Sequence, residues 1–242
     1  MTGKIHKLNT ITAAVALMPS FGVMNSHAAP PIKTYDVTIS NLTSGQPFTP
    51  PVVATHRRPL DVFEVGEPAS FEVKEIAENG NVTPLAEALA ANKHVFESMV
   101  GARPIFHGGG SGGTLEFEIH ASPPAKYLSF VSMLICTNDG FTGLDAQRLP
   151  KKVGDSVEVS IGAYDAGTEM NTEDFADIVP PCQSLVGIMP DDPGTGTSNP
   201  DLAEGGVIHV HEGIKGFADL DPAVHGWTVR DPVATVVITR TD

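Results

Sequence analysis

Positive charge is scarce in this chain. Its 242 residues include 15 Lys and Arg against 29 Asp and Glu, which gives a formal net charge of −14 at pH 7. Proteins that hold nucleic acid or an anionic membrane surface through electrostatics need an excess of positive charge. The composition therefore argues against both kinds of partner. After residue 30, no stretch approaches the roughly 18 apolar residues that a membrane-spanning helix needs, so we expect no transmembrane segment.

The N-terminus has the three parts of an export signal. Lys4 and Lys7 supply its positive charge, and residues 11–24 supply its apolar stretch. Residues 26–28, with the sequence Ser-His-Ala, form a small-x-small cleavage site. We therefore expect a secreted or periplasmic protein. The expected divisions are a signal peptide at 1–28 and one mature domain at 29–242.

Cysteine is nearly absent. Cys136 and Cys182 are the only two, and neither lies in a Cys-x-x-Cys or Cys-His sequence. This pattern argues against a thiol nucleophile and against a cysteine-based zinc site. In an oxidising compartment an isolated pair forms one disulfide most simply, so we expect Cys136 and Cys182 to be bonded to each other.

Long helical patterns are also rare, because 24 glycines and 20 prolines interrupt the sequence. Segments rich in β-branched and aromatic residues alternate with these turn residues and predict strands. The predicted strands are 34–42, 114–120, 127–136, 156–164, 206–211 and 233–240, with 51–55 as a weaker candidate for a short edge strand. Short helices are predicted at 68–77 and 83–91. The pattern predicts an all-β fold, an antiparallel β-sandwich with a short helical insertion.

Two predicted loops are dense in oxygen donors. Residues 137–145 follow one strand and residues 165–174 follow another, and both contain glycines that allow tight turns. Calcium takes six to eight oxygen ligands from carboxylates, backbone carbonyls and water. Carboxylates gathered without a cation would repel one another. The loops therefore either bind a cation together or are ordinary solvated loops whose acids cap turns.

Other candidate sites are weaker. His209 and His211 are two apart on a predicted strand and would share a face, where a third histidine could complete a zinc or copper site. The alternative is an exposed edge strand with polar residues outward. The acidic runs are expected to be solvated faces. Those runs are Glu72, Glu75 and Glu78 and, further along, Glu173, Asp174 and Asp177.

Several stretches resemble the spondin N-terminal domain. Residues 130–134 (Phe-Val-Ser-Met-Leu) lead into residues 138–145 (Asn-Asp-Gly-Phe-Thr-Gly-Leu-Asp), and residues 164–169 (Tyr-Asp-Ala-Gly-Thr-Glu) follow. Residues 66–70 and 76–81 also resemble the helical insert of this family. The paired loops are the most specific part of the resemblance.

The resemblance extends over about residues 35–240 and implies a sandwich similar to C2 domains that binds one calcium ion. Carried over by position, the ligands fall on Asp139, Asp165 and Glu169. The family often has aspartate where Glu169 stands, and glutamate is one methylene longer but can coordinate through both oxygens. A Cys136–Cys182 disulfide would then connect the two calcium loops.

These observations lead to an expected function. We expect an exported, non-enzymatic, calcium-binding module that adheres to an extracellular protein or glycan. Two alternatives stay open. One is a metal-dependent extracellular hydrolase, with the cation or His209 and His211 as its centre, and the other is a purely structural envelope protein.

Overall fold

The computed structural model of the protein describes residues 31–187 and 192–242. The expected signal peptide at 1–28 lies outside the described residues. The strands are β1 (Lys33–Asn41), β2 (Val52–His56), β3 (Val95–Val100), β4 (Thr114–Ala121), β5 (Tyr127–Met133), β6 (Gly140–Arg148), β7 (Ser156–Ile161), β8 (Ala163–Asp165), β9 (His209–Val210) and β10 (Ala234–Arg240). The α-helices are α1 (Phe71–Asn79), α2 (Thr83–Ala91), α3 (Pro181–Val186) and α4 (Pro222–His225). Among the described residues, no helix is long and apolar enough to cross a membrane.

The strands form two antiparallel sheets. One has the order β4-β1-β10-β7, and the other has the order β3-β2-β5-β6-β8-β9. Alternation along β1 turns Tyr35, Val37 and Ile39 inward, where they meet Phe130 and Leu128 of the second sheet in one buried cluster. The expected all-β sandwich is confirmed.

The helical insertion covers the outer face of the six-stranded sheet. Val73 and Ile76 of α1 and Leu85 of α2 are buried in a second cluster with Val131 and Met133 of β5. Helix α1 begins where the Ser70 hydroxyl accepts a hydrogen bond from the Val73 N–H, and it ends at Gly80, whose φ is 62°. These are the start and stop signals that the sequence provides. The central strands β2 and β5 of the six-stranded sheet are therefore buried on both faces.

Three of the strand predictions were wrong. Strand β2 is not an edge strand, because it lies between β3 and β5 and all five of its residues are buried. Strand β6 begins at Gly140, inside the segment predicted to be a loop. The predicted strand at 206–211 is reduced to His209–Val210.

The turn between β5 and β6 is closed by Thr137. Its hydroxyl donates to the Leu134 carbonyl oxygen at 2.6 Å and accepts the Gly140 N–H at 2.9 Å. A Cβ at Gly140 would lie 2.5 Å from the Thr137 Oγ1 atom, so only glycine fits there. Cys136 in this turn forms the expected disulfide with Cys182 of α3.

Candidate metal centre

Strand pairing brings the two acidic loops together at the end of the sandwich where β5 turns into β6. Gly140 at the start of β6 pairs with Asp165 at the end of β8. Asp139 directly precedes Gly140 and therefore lies close to Asp165. The Ala166 N–H donates to the Asp139 carbonyl oxygen at 3.1 Å. We call this region, with Asp139, Asp165 and Glu169, the acidic end.

Asp139 is the most deeply buried of these acids. Its exposed fraction is 0%, and its Oδ2 atom accepts the Thr168 N–H at 2.8 Å, the Thr168 hydroxyl at 3.2 Å and the Glu169 N–H at 3.1 Å. Its Oδ1 atom is buried and has no hydrogen-bond partner among the residues that the structure describes. Burial, reinforced by the Asp165 charge, raises the pKa of Asp139 to about 7. An oxygen in this state favours either a proton or a cation.

Asp165 is fixed by its own loop. Its Oδ1 atom accepts the Gly167 N–H at 2.8 Å, and its Oδ2 atom accepts the Asn171 side-chain amide at 2.6 Å. Gly167 has a φ of 66°, and a Cβ there would lie 2.6 Å from the Val207 carbonyl oxygen. Asp165 lines a pocket of about 200 Å³. The carboxylate is thus held in one orientation at the edge of a cavity.

Glu169 contributes differently from the other two. Its N–H binds Asp139, whereas its side-chain Oε1 atom accepts the Asn199 N–H at 3.2 Å. Burial raises the pKa of Glu169 to about 7, although the hydrogen bond from Asn199 lowers it. The negative charge of Glu78 also raises the pKa. Among the described residues, the ligand atoms of Asp139, Asp165 and Glu169 do not all lie within 4.8 Å of one another. The structure brings Asp139 and Asp165 together and holds the Glu169 carboxylate at a neighbouring loop.

Glu78 was expected on a solvated face, and this prediction was wrong. Its side chain is 1% exposed, and neither carboxylate oxygen has a hydrogen-bond partner. Lys74, one helical turn earlier, places its Nζ atom 3.5 Å from one of these oxygens. The adjacent Ile76 and Ala77 belong to the buried face of α1. The position of Glu78 at the margin of that apolar face was the available signal.

Glu173 was also expected to be solvated, and it too is buried, at 3% exposure. Its φ is 58°, which is unusual for a residue with a side chain. Its carboxylate accepts the backbone N–H groups of Lys215 at 2.6 Å, Gly216 at 2.6 Å and Phe217 at 2.7 Å. Glu173 therefore clamps the loop at residues 215–217. No local sequence pattern indicates a partner more than forty residues away.

His209 and His211 both line the pocket that Asp165 borders. His209 is about half exposed, donates from Nδ1 to the Val207 carbonyl oxygen at 2.9 Å, and lies 3.8 Å from an Asp165 oxygen. His211 is 3% exposed, its Nδ1 atom accepts the Gly213 N–H at 3.0 Å, and its Nε2 atom has no partner. Burial lowers the pKa of His211 to about 4 despite the nearby Asp165 charge. His211 is therefore a neutral imidazole at neutral pH.

One set of potential ligands converges elsewhere. In the described part of the chain, Cys136, Cys182 and His225 have ligand atoms within 4.8 Å of one another. Both sulfur atoms are already bonded in the disulfide. A thiolate is the form of cysteine that binds metal, so this cluster offers no metal site while the disulfide is intact.

Comparison with known proteins agrees with the fold. A family model described as Spondin_N matches residues 35–177, which is more than half of the chain. The matched range includes Asp139, Asp165 and Glu169, whereas His209 and His211 lie beyond it. None of the curated proteins matches the chain.

Proposed function

Because the chain belongs to the spondin N-terminal domain family, an extracellular module, we propose that it is an exported, non-enzymatic binding protein whose acidic end holds one calcium ion. The single observation that carries this proposal is the buried Oδ1 atom of Asp139, which has no hydrogen-bond partner beside a second acid. Its partner is an extracellular protein or glycan.

The donor set suits calcium. Calcium prefers hard oxygen ligands and tolerates irregular geometry, and the acidic end offers carboxylates from Asp139 and Asp165. Glu169 adds negative charge, and it becomes a direct ligand only if its carboxylate moves closer to Asp139 and Asp165. A bound cation would neutralise the charges that burial makes costly at Asp139.

Calcium in this position would stiffen a binding surface. The loops that supply Asp139 and Asp165 belong to different strands, and the Cys136–Cys182 disulfide already fastens the first of them to α3. A shared ion would couple the two loops and reduce the entropy lost when a partner orders them. The ion therefore supports adhesion rather than a chemical step.

A thermal melt tests the calcium site. The mature protein is stripped with a chelator and then melted with calcium, magnesium or zinc added back. Calcium at about a hundred times its Kd should add about 2.7 kcal/mol to the free energy of unfolding, which corresponds to roughly 5–10 °C for a chain of this size. The absence of a shift with calcium would contradict the proposal.

Matched variants test the ligands. Asp139→Asn with Asp165→Asn should abolish the calcium shift, because it removes both ligand charges while keeping the size of the side chains. Glu116→Gln with Glu118→Gln changes the net charge equally on the exposed face of β4 and should keep the full shift. A calcium shift that survives in the first variant would show that the ligands are assigned wrongly.

A zinc-dependent hydrolase is a second candidate, favoured by one observation. His209, His211 and Asp165 border the same pocket, and the His211 Nε2 atom there has no partner. If this reading is right, zinc alone raises the melting temperature, His211→Gln removes that rise, and the protein turns over an ester or glycan substrate. A calcium-only shift with no turnover would reject it.

A further inference from the structure

The few basic residues of the chain are gathered at one place. Of the 13 Lys and Arg residues that follow Lys7, six lie around the end of the sandwich opposite the acidic end. There β1 begins, β4 passes into β5, β6 passes into β7, and β10 ends, as the pairs Tyr35–Arg240 and Tyr127–Arg148 show. We call this region the basic end. Its six cations are Lys33, Lys126, Arg148, Lys151, Lys152 and Arg240.

A pocket of about 250 Å³ lies in the middle of the basic end. Four cations line it, and its apolar wall includes Leu149 and Pro150. The buried Tyr35 ring forms another part of the wall, and its hydroxyl donates to the Pro150 carbonyl oxygen at 3.1 Å. The four lining cations are Lys33, Lys126, Arg148 and Lys151. The pocket is thus both strongly positive and partly apolar.

The backbone that presents these cations is anchored. The Arg240 guanidinium donates to the carbonyl oxygen of Lys151, and the Leu149 N–H donates to the carbonyl oxygen of Lys126 at 2.9 Å. The Gly154 N–H donates to the Arg240 carbonyl oxygen at 2.8 Å. The β6–β7 loop is therefore fastened to β10, and a ligand would meet cations whose main-chain positions are already fixed.

Most charges of the basic end have no ion-pair partner in the described part of the chain. None of the six cations there has an Asp or Glu side-chain oxygen within 4 Å. Arg240 is the exception in its surroundings, because its Nε atom donates to the main-chain oxygen of Asp242, whose carboxylate accepts the Thr34 N–H and hydroxyl. The Thr34 hydrogen bonds lower the pKa of Asp242, and the Arg240 charge lowers it further. Burial lowers the pKa of Lys33, and the charges of Arg240 and Lys126 lower it further. Crowded like charges of this kind disfavour one another and gain free energy when an anion joins them.

A second basic pocket adjoins the first. It measures about 240 Å³, is lined by Arg57, Lys93 and His94, and shares Ala125 with the first pocket. Arg57 donates from Nε to the His94 ring at 3.1 Å and from its terminal nitrogen to the Lys93 carbonyl oxygen at 3.4 Å. Two adjoining positive pockets suit a ligand that has anionic groups at intervals.

We propose that the basic end binds an oligosaccharide that carries sulfate or phosphate esters, with successive ester groups in the two adjoining pockets. The concave shape favours ester groups on a chain over the flat surface of a bilayer. The apolar wall at Leu149 and Pro150 suits the faces of sugar rings. This site does not depend on calcium, so the proposal is tested independently of the calcium site at the acidic end.

Binding of a fluorescent heparin octasaccharide tests the site. The full chain is titrated in chelator and again in calcium, and the affinity should be the same in both and fall as salt is added. Lys126→Ala with Lys151→Ala should weaken binding about tenfold, because two exposed charge contacts are lost. The control, Lys215→Ala with Arg230→Ala, changes the net charge equally outside the basic end and should change the affinity less than about twofold.

Two further probes test whether the site recognises ester groups on a sugar rather than sugar carboxylates or lipid headgroups. A heparosan octasaccharide, which has carboxylates but no sulfates, should bind at least about tenfold more weakly than the heparin octasaccharide. Vesicles of phosphatidylglycerol should bind no better than vesicles of phosphatidylcholine. Three results would overturn the proposal: equal loss of affinity in the two double variants, binding to the anionic vesicles alone, or no binding to the heparin octasaccharide.

Discussion

The two ends of the sandwich hold their charges in opposite ways. At the acidic end, Asp139, Asp165 and Glu169 are at most 3% exposed, whereas at the basic end Lys126 and Arg148 are exposed. A buried charge is hardly screened by salt and needs a close counter-ion, while an exposed charge is hydrated and interacts weakly. The acidic end therefore suits a small, desolvated cation, and the basic end suits a large anion that stays partly hydrated.

Substitutions at the two ends should therefore affect different properties of the protein. Changing a charge at the acidic end alters what is buried, so it should alter stability. Changing a charge at the basic end alters only what is presented to solvent, so it should alter binding. The following four predictions test this contrast, from the largest expected change in stability to the smallest.

Removing the disulfide should have the largest effect. Cys136→Ala with Cys182→Ala opens a covalent loop between residues separated by 46 positions, and loop entropy alone predicts a loss of about 4 kcal/mol. Urea unfolding of the variant and the parent measures it. A loss well below 1 kcal/mol would contradict the view that this bond fastens the acidic end.

Asp139→Asn should stabilise the protein when calcium is absent. The native pKa of Asp139 is raised to about 7 from an ordinary value of 3.8, so the native state keeps its proton over a range where the unfolded state has lost it. Stability from this group is then full below about pH 4 and is lost as the pH rises toward 7. Asparagine can accept the Thr168 and Glu169 donors with its oxygen and place its amide at the unpartnered position.

The measurement compares urea unfolding of Asp139→Asn and the parent in chelator at pH 5 and pH 8. At pH 8 the variant should be more stable by roughly 2–4 kcal/mol, and at pH 5 the advantage should shrink. Adding calcium at about a hundred times its Kd should largely cancel this advantage, because the parent gains about 2.7 kcal/mol from the ion and the variant lacks one ligand charge. A variant that is less stable at pH 8 in chelator would show that the Asp139 charge is compensated within the protein.

His56, beside the basic end, should show the opposite dependence on pH. It is buried, its Nε2 atom lies 2.8 Å from the Ser129 hydroxyl oxygen, and its Nδ1 atom has no partner. Burial lowers the pKa of His56, so its contribution to stability is present above its unfolded value near 6.5 and is lost as the pH falls through the lower native value.

His56→Gln should therefore make the loss of stability between pH 6.5 and pH 5 less steep. The change can reach about 1.4 kcal/mol per pH unit, the value of one proton. Unfolding by urea at several pH values between 5 and 7 measures the slope. Equal slopes in the variant and the parent would mean that the pKa of His56 is the same in the folded and the unfolded state.

The smallest effect on stability is expected at the basic end itself. Lys126→Ala with Lys151→Ala should change the free energy of unfolding by less than about 0.5 kcal/mol, because both side chains are exposed and neither is in an ion pair among the described residues. Low salt should make the variant slightly more stable than the parent, since it has fewer like charges. A loss above 1 kcal/mol would show that these cations stabilise the fold.

The sequence was sufficient to predict the parts of the fold that are buried on one side. Strand β4 alternates Leu115, Phe117 and Ile119 with exposed acids, and the structure keeps this pattern apart from a partly exposed Phe117. Strand β2 was predicted to be a short edge strand. Its pairing with β3 and β5 makes it an inner strand, and Val52 and Ala54 share a buried cluster with residues of α1 and α2. These are tertiary contacts that the local sequence does not reveal.

The candidate site was predictable in part, for a similar reason. The sequence places Asp139 and Asp165 in loops that each follow a predicted strand, and the family resemblance points to the same pair. Glu78 and Glu173 were expected in solvent because an acidic run has no local sign of burial. Their surroundings come from residues far along the chain, such as the loop that Glu173 binds.

Net charge averages over the whole surface and does not reveal local patches. A formal charge of −14 argues against nucleic acid and anionic membranes as partners, and the same chain gathers Lys33, Lys126 and Arg148 around one pocket. Charge interactions in water decay over about 10 Å at 0.1 M salt. A ligand at one end of the molecule therefore meets the local charge rather than the total.

The Glu173 clamp has a consequence for proteolysis. Lys215 is exposed and would be a target for trypsin, but cleavage requires its segment to leave the folded surface and extend into the protease. Three backbone N–H groups in that segment are bound to the Glu173 carboxylate. Glu173 is only a few residues from Glu169 in the acidic loop, so the rate of trypsin cleavage after Lys215 reports how firmly this loop is ordered and whether added calcium tightens it.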